Sequence, residues 1–171
     1  AISVVLGLPL SAAAVELTKL TPPPHRGERV FLREGIVIID ETYNSNPTAL
    51  DFVLESFAEE KASRRVAVLG DMLELGDRAE ALHRKSGRKA ARSELDLLIG
   101  VGPLGSLIVE EARRAGMAEA STLVAETAAE AAELLVDRIE SGDIVLLKAS
   151  RGVGLDKAMD ALRDHFEMES D

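Results

Sequence analysis

Short apolar runs alternate along the chain with longer stretches whose apolar residues recur at helical spacing. Val, Ile and Leu dominate the short runs, which is typical of strands buried on both faces of a sheet. After residue 24 the pattern predicts a hairpin of two strands, a helix and then four strand–helix units. The predicted strands are 29–33, 36–40, 65–69, 95–100, 121–125 and 144–148, and the predicted helices are 48–57, 79–92, 104–115, 127–139 and 155–166.

This order of elements predicts an α/β fold. Strands that alternate with helices form right-handed βαβ crossovers, so most of the strands are expected to be parallel. The predicted fold class is therefore a Rossmann-like, mostly parallel sheet with helices on both faces. The strand at 29–33 turns back at Glu34 and Gly35, and it is expected to be an antiparallel edge strand at the N-terminal end of this domain.

The first 24 residues differ from the rest of the chain. The apolar stretch 1–14 ends in three alanines like a signal peptide, but it lacks a basic start and Pro9 interrupts it. The stretch from residue 10 or 11 to residue 20 favours an amphipathic helix, with Ser11 as its N-cap. Three consecutive prolines then form a stiff linker. We therefore predict a domain boundary after residue 24, with residues 1–24 the tail of a preceding domain plus linker and residues 25–171 one domain.

Composition narrows the classes of function. A chain of 171 residues with 46% hydrophobic and 29% charged residues is long and apolar enough to fold around a core. A net charge of −10 argues against a nucleic-acid partner, because phosphate binding needs a basic surface. The absence of cysteine and the three scattered histidines give no metal signature. No apolar run is long enough to cross a bilayer, so no membrane partner is expected.

Four polar loops follow the ends of predicted parallel strands. They are the first loop (residues 41–47), the second loop (70–76), the third loop (100–105) and the fourth loop (148–152). In open α/β sheets such loops gather at the carboxyl edge, where ligands bind. The first loop is compatible with two interpretations, a ligand-binding loop or a solvated turn that caps the next helix.

The third loop matches the dinucleotide-binding fingerprint Gly-x-Gly-x-x-Gly. Glycines stand at 100, 102 and 105, and the acid Glu126 follows about 20 residues later, where a ribose ligand would be expected. The fingerprint normally follows the first strand of a sheet, however, and Pro103 equally suits the first turn of an ordinary helix. The pattern therefore favours a short glycine turn, with a dinucleotide-binding module as the alternative.

The fourth loop carries the clearest chemistry. Lys148 ends an apolar strand, and Ser150 and Arg151 follow directly before a predicted helix. Two cations, a hydroxyl and a helix N-terminus favour an anion site, the alternative being two solvated surface cations. In the second loop, Asp71 suits a turn or a cap. A phosphoacceptor signalling module would need an acid after the strand at 95–100, and Gly100 stands there instead.

Several blocks of sequence together resemble the C-terminal part of the Mur ligases. The blocks are Pro-x-Arg-Gly-Glu at 24–28, Ile-Asp-Glu-Thr-Tyr-Asn-Ser-Asn-Pro at 39–47, Val-Leu-Gly-Asp-Met-Leu-Glu-Leu-Gly at 68–76, His83 and Leu-Lys-Ala-Ser-Arg-Gly at 147–152. The resemblance covers residues from about 1 to 166. It implies an ATP-dependent amide ligase of three domains that acts in peptidoglycan precursor synthesis. Residues 1–20 would be the last helix of its central ATPase domain.

The resemblance is strongest to the branch of the family that joins UDP-N-acetylmuramoyl-tripeptide to D-alanyl-D-alanine, and another amide ligase of the superfamily is the alternative. It implies ATP-binding roles for Arg26, Glu41, Asn44 and Asn46, with Glu41 where relatives usually carry a ribose-binding aspartate. It implies substrate-binding roles for Asp71, Lys148, Ser150 and Arg151. We predict that Lys148 and Arg151 bind the carboxylate of the dipeptide, because that group needs charge-assisted donors.

One absent motif limits what this chain can do alone. The sequence contains no Gly-x-x-x-x-Gly-Lys-Ser/Thr, the loop that cradles nucleotide phosphates and helps to hold Mg²⁺. ATP and Mg²⁺ are therefore expected for the intact enzyme, with Mg²⁺ held mainly by the central domain. The chain itself is expected to contain no catalytic or metal-binding residue and to be inactive. Its role would be to close over ATP and position the dipeptide, in a cytoplasmic, monomeric enzyme.

Overall fold

The computed structural model describes residue 7 and residues 9–17 and 23–167. The strands in these residues are β1 (Glu28–Phe31), β2 (Val37–Glu41), β3 (Arg64–Gly70), β4 (Leu97–Val101), β5 (Thr122–Ala125) and β6 (Asp143–Lys148). The α-helices are α1 (Leu10–Leu17), α2 (Pro47–Ala58), α3 (Ala79–Ala90), α4 (Gly102–Arg114), α5 (Ala128–Arg138) and α6 (Asp156–Glu167).

The six strands form one sheet in the order β1–β2–β6–β3–β4–β5. The five strands from β2 to β5 in this order are parallel, and β1 pairs antiparallel with β2 at the edge. The predicted fold class is confirmed. The last strand in the described residues, β6, lies between β2 and β3, so its final residue has a neighbouring strand on each side. In register, Lys148 aligns with Glu41 on β2 and with Leu69 on β3.

The boundaries of the elements differ from the predicted ones by a few residues. The predicted strand 29–33 ends at Phe31, and the turn expected at Glu34 and Gly35 is a 3₁₀ turn over Arg33–Gly35. The predicted helix 10–20 is described over Leu10–Leu17 as α1, and its remaining residues lie outside the described part of the chain. Fraying ends carry weak sequence signals, so differences of this size are expected.

Apolar layers cover both faces of the sheet. Successive side chains of a strand point to opposite faces. Val66 and Val68 of β3 therefore pack toward α5 and α6, whereas Ala67 and Leu69 pack toward α2, α3 and α4. The central strands are buried on both sides, and the loops that follow begin at their carboxyl ends.

None of the helices in the described residues combines the length and the hydropathy needed to cross a bilayer.

Candidate functional site

The predicted loops meet at the carboxyl edge of the sheet, where Ser150 connects three of them. The Ser150 N–H donates to the Asp71 carbonyl oxygen at 3.0 Å. The Ser150 hydroxyl accepts from the Leu73 N–H at 2.9 Å and donates to the Ser45 carbonyl oxygen at 3.4 Å. The first, second and fourth loops are thus held together by one buried serine, and the prediction that they share an edge is confirmed.

The segment after the prolines is tied to the first loop through Asp40. This carboxylate is 1% exposed, and one of its oxygens accepts from both the backbone N–H and the hydroxyl of Thr42. The other oxygen lies 2.8 Å from His25 Nδ1. Two backbone hydrogen bonds join the same segments, from the Gly27 N–H to the Asp40 carbonyl oxygen and from the Tyr43 N–H to the His25 carbonyl oxygen. Burial of a carboxylate requires such partners.

The contact with Asp40 raises the pKa of His25. Its hydrogen bond to Asp40 raises the pKa of His25 above 6.5, the charges of Asp40, Asp156 and Glu28 add to this, and desolvation opposes it. Because the pKa is raised on folding, the stabilisation by this pair is complete below pH 6.5 and is lost as the pH rises through the raised pKa.

We expect Asp40→Asn to lower the pKa of His25, measured by NMR titration of its imidazole signals. The reason is that the neutral amide no longer favours the imidazolium. Glu28→Gln is the matched control and should lower that pKa less, because Glu28 makes the smallest of these contributions. An unchanged His25 titration in Asp40→Asn would contradict the assignment of Asp40 as the dominant partner.

Two arginines with different predicted ligands meet at one aromatic ring. The Arg26 Cζ lies 3.8 Å from the centroid of the Tyr43 ring, and the Arg151 Cζ lies 5.7 Å from it. Both distances fall within the range of cation–π contacts. Both arginines and the ring are exposed. The residue predicted for the nucleotide and the residue predicted for the dipeptide are therefore neighbours on this edge.

Lys148 has a different environment from Arg151. It is 2% exposed, and its Nζ lies 3.2 Å from Glu41 Oε2 and donates to the Asn44 carbonyl oxygen at 3.0 Å. The side chain of Glu41 is 25% exposed. The structure therefore brings together Lys148, predicted for the dipeptide, and Glu41, predicted for ribose, as a partly buried ion pair.

The two asparagines of the first loop have local roles. The Asn44 side-chain oxygen accepts from the Ser45 N–H at 2.9 Å. The Asn46 side-chain oxygen accepts from the Ala49 N–H at 2.9 Å as the N-cap of α2, with Pro47 in the first turn. The loop is thus a helix cap, which leaves the amide NH₂ groups as donors for a ligand. The predicted contacts of Asn44 and Asn46 with ATP stay predictions.

The Asp71 carboxylate lies at the N-terminus of α4, the helix that begins in the Gly-x-Gly-x-x-Gly segment. Its Oδ1 accepts from the Leu104 N–H at 2.9 Å and from the Gly105 N–H at 2.7 Å, at the N-terminus of α4. A Cβ added at Gly102 would lie 2.8 Å from the same oxygen. Where dinucleotide-binding proteins place a pyrophosphate on this helix end, this protein places its own carboxylate. The predicted substrate role of Asp71 stays a prediction.

His83 supports the second loop through a hydrogen bond between its side chain and the backbone of that loop. It is fully buried on α3, its Nε2 accepts from the Met72 N–H at 2.8 Å, and its Nδ1 lies 2.7 Å from the Ala79 carbonyl oxygen. These partners require Nε2 to be unprotonated and Nδ1 to carry the hydrogen. His83 therefore holds the backbone next to Asp71 in place.

The sequence patterns assign no role to three residues of this site, His25, Asp40 and Tyr43. Asp40 offered a signal, because an acid at the end of a buried strand needs a partner, but nothing local identified His25 as that partner. Tyr43 stands in the block that carries the resemblance. Within residues 9–17 and 23–167, no group of three acidic or histidine side chains is placed to hold a metal ion.

Comparisons with known families and curated proteins agree on one group. The family described as "Mur ligase, glutamate ligase domain" matches residues 25–151. The UDP-N-acetylmuramoyl-tripeptide–D-alanyl-D-alanine ligase of Mycobacterium tuberculosis (strain CDC 1551 / Oshkosh) is 34% identical over 95% of this chain and 36% of its own length. The ligase of the same name from Bacillus subtilis (strain 168) is 30% identical over 88% of this chain and 33% of its own length. The chain thus spans about a third of these relatives.

Solved structures are similar over nearly the whole chain. MurF ligase from Thermotoga maritima in complex with ADP superposes with a TM-score of 0.81 at 25% identity, over 99% of this chain and 37% of that one. MurF from Acinetobacter baumannii superposes with a TM-score of 0.81 at 26% identity, over 95% of this chain and 35% of that one.

Proposed function

The chain belongs to the Mur ligase family, and we propose that it is the C-terminal domain of an ATP-dependent ligase that adds D-alanyl-D-alanine to UDP-N-acetylmuramoyl-tripeptide. One observation carries the proposal. Arg26 and Arg151, assigned to ATP and to the dipeptide, contact the same tyrosine at the carboxyl edge of the sheet. A domain that brings two substrates together needs the residues that bind each of them to lie side by side.

We propose that residues 1–24 are the end of a preceding domain plus linker and that residues 25–171 are the C-terminal domain. The proline run at 22–24 supports this division, because consecutive prolines favour a stiff, extended linker between domains.

The nucleotide side of the proposed site consists of Arg26, Glu41, Asn44 and Asn46. Arg26 offers a planar guanidinium that suits phosphate oxygens. Glu41 offers carboxylate oxygens that accept from ribose hydroxyls. The ADP complex of a similar ligase supports nucleotide use in the family. We assign Mg²⁺ and the phosphate cradle to the preceding domain, because the P-loop motif is absent from this sequence.

The substrate side of the proposed site is centred on Arg151. In the proposed reaction the tripeptide carboxylate takes the γ-phosphoryl group of ATP and becomes an acyl phosphate. The neutral amine of D-alanyl-D-alanine attacks its carbonyl carbon, an amide bond forms, phosphate leaves and the amine loses a proton. Arg151 would hold the carboxylate of the dipeptide, at the far end from the amine. Ser150 would keep the surrounding loops fixed, so the domain contributes position and exclusion of water.

The purified 171-residue chain is expected to release no phosphate from ATP and Mg²⁺ above the buffer blank, because it lacks the phosphate cradle. The full-length ligase, supplied with ATP and the tripeptide, should release phosphate only when D-alanyl-D-alanine is added. Turnover by the short chain that survives further purification would contradict its predicted inactivity. Faster turnover with a single amino acid in place of the dipeptide would favour another amide ligase of the superfamily.

We also propose a cytoplasmic, monomeric enzyme with no nucleic-acid or membrane partner. The net charge of −10 supports the absence of a nucleic-acid partner. The cytoplasmic location is proposed because the proposed reaction uses ATP and a UDP-linked precursor.

A further inference from the structure

The buried position of Lys148 separates it from the exposed cations of the site. Lys148 is the last residue of the central strand β6, with β2 and β3 on either side of it. Its ammonium group faces Glu41 Oε2 at 3.2 Å and the Asn44 carbonyl oxygen at 3.0 Å. The charge of Lys148 is therefore already balanced within the protein.

A carboxylate ligand would have to compete with this pairing. Drawing Lys148 away from Glu41 would separate the buried ammonium group from its partly buried carboxylate partner, which is unfavourable. Arg151, three residues later, is exposed, so a carboxylate can bind it without separating a buried ammonium group from its partner. The dipeptide therefore has a better handle in Arg151 than in Lys148.

Glu41 gains a defined conformation from the same contact. A glutamate has one more rotatable bond than the aspartate usual at this position, so an unpaired Glu41 would sample more rotamers. Lys148 draws Oε2 toward the sheet, and the other oxygen, Oε1, lies on the side of Gly27, where a Cβ would be 3.3 Å away. The bond from Lys148 to the Asn44 carbonyl fixes the first loop at the same time.

We propose that Lys148 is a positioning residue for the nucleotide: it holds the longer Glu41 side chain so that Oε1 can accept from a ribose hydroxyl. This inference rests on the proposed function, since it takes Glu41 as the ribose ligand. It moves Lys148 from the dipeptide side of the site to the ATP side and leaves Arg151 as the cation for the dipeptide.

The test compares Lys148→Met with wild type in the full-length ligase. We expect the KM for ATP and the Kd for ADP to rise about tenfold, the lower end of a charge-assisted hydrogen bond. The KM for D-alanyl-D-alanine should change less than about threefold, since Arg151 is intact. Lys157→Met removes an exposed lysine at the start of α6 and should change none of these values.

A double variant shows whether Lys148 acts through Glu41. If it does, Glu41→Gln/Lys148→Met should bind ADP no more weakly than Glu41→Gln alone, whereas independent contacts would give additive losses. Additive losses, or a tenfold rise in the KM for the dipeptide with ADP binding unchanged in Lys148→Met, would overturn the inference. If the single lysine variant fails to fold, the comparison of Glu41→Gln with the double variant still shows whether Lys148 acts through Glu41.

Failure of the proposed function would look different. Wild-type ligase that binds ADP but does not join D-alanyl-D-alanine to the tripeptide would refute the proposed function, while the ADP titrations would still test the link from Lys148 to Glu41.

Discussion

Gly100→Ala is expected to destabilise the protein by about 3 kcal/mol, the upper part of the range for overpacking. Glycine inside a strand is ordinarily unfavourable, so alanine would stabilise an open position. Here an added Cβ would overlap the Gly105 carbonyl oxygen and approach Val109 Cγ2 to 2.7 Å. The carbonyl belongs to the backbone of α4, so relief requires the helix to move away from β4.

Thermal unfolding of the 171-residue chain, followed by circular dichroism, measures this effect. A loss of 3 kcal/mol corresponds to a Tm lower by roughly 6–12 °C for a protein of this size. Gly152→Ala is the control, because its Cβ would meet only Leu73 Cδ1, the end of an exposed side chain that can rotate. It should stay within about 0.5 kcal/mol of wild type.

This result would give the Gly-x-Gly-x-x-Gly segment a structural explanation. Gly102 has a φ of 86° and lies against Asp71, and a Cβ at Gly105 would come within 3.0 Å of the Leu69 carbonyl oxygen. The three glycines allow α4 to pack tightly on the sheet. A Gly100→Ala variant as stable as wild type would contradict this explanation, and saturable NADH binding that Gly102→Val abolishes would restore the dinucleotide-binding alternative.

Arg151→Ala in the full-length ligase is expected to raise the KM for D-alanyl-D-alanine roughly tenfold to a hundredfold. A charge-assisted hydrogen bond to a carboxylate contributes about 1.5–3 kcal/mol. Arg151 is exposed in the 3₁₀ turn Arg151–Val153 that follows β6, and its guanidinium can bind a carboxylate with two parallel N–H groups. The KM for ATP should change less than about threefold, because Arg26 is intact.

Steady-state kinetics with each of the three substrates varied in turn measures this effect. Arg151→Lys keeps the charge but loses the two-pronged geometry, so its KM for the dipeptide should lie between those of wild type and Arg151→Ala. Arg138→Ala is the control, since Arg138 is exposed at the end of α5, away from the carboxyl edge. The assignment is wrong if the dipeptide KM stays at the wild-type value while that of ATP or of the tripeptide rises.

Local sequence preferences are enough to place the strands and helices and to predict their general arrangement. Runs such as 36–40 and 144–148 combine β-branched and leucine residues, and proline or glycine stands near their ends, so local preferences are enough to place the strands. Parallel βαβ units then require the loops after those strands to share one edge. The grouping of Ser150, Asp71 and Ser45 follows from that rule, although none of the three is close to another in the chain.

The pairing of individual residues depends instead on the three-dimensional packing of the elements. Lys148 meets Glu41 because β6 inserts between β2 and β3, and the choice of neighbouring strand depends on packing summed over both faces of the sheet. The same holds for Asp71, whose carboxylate fills the helix end that a local fingerprint associates with a pyrophosphate. A motif records which residues are adjacent along the chain, whereas an ion pair or a cap depends on distances between residues that are far apart in sequence.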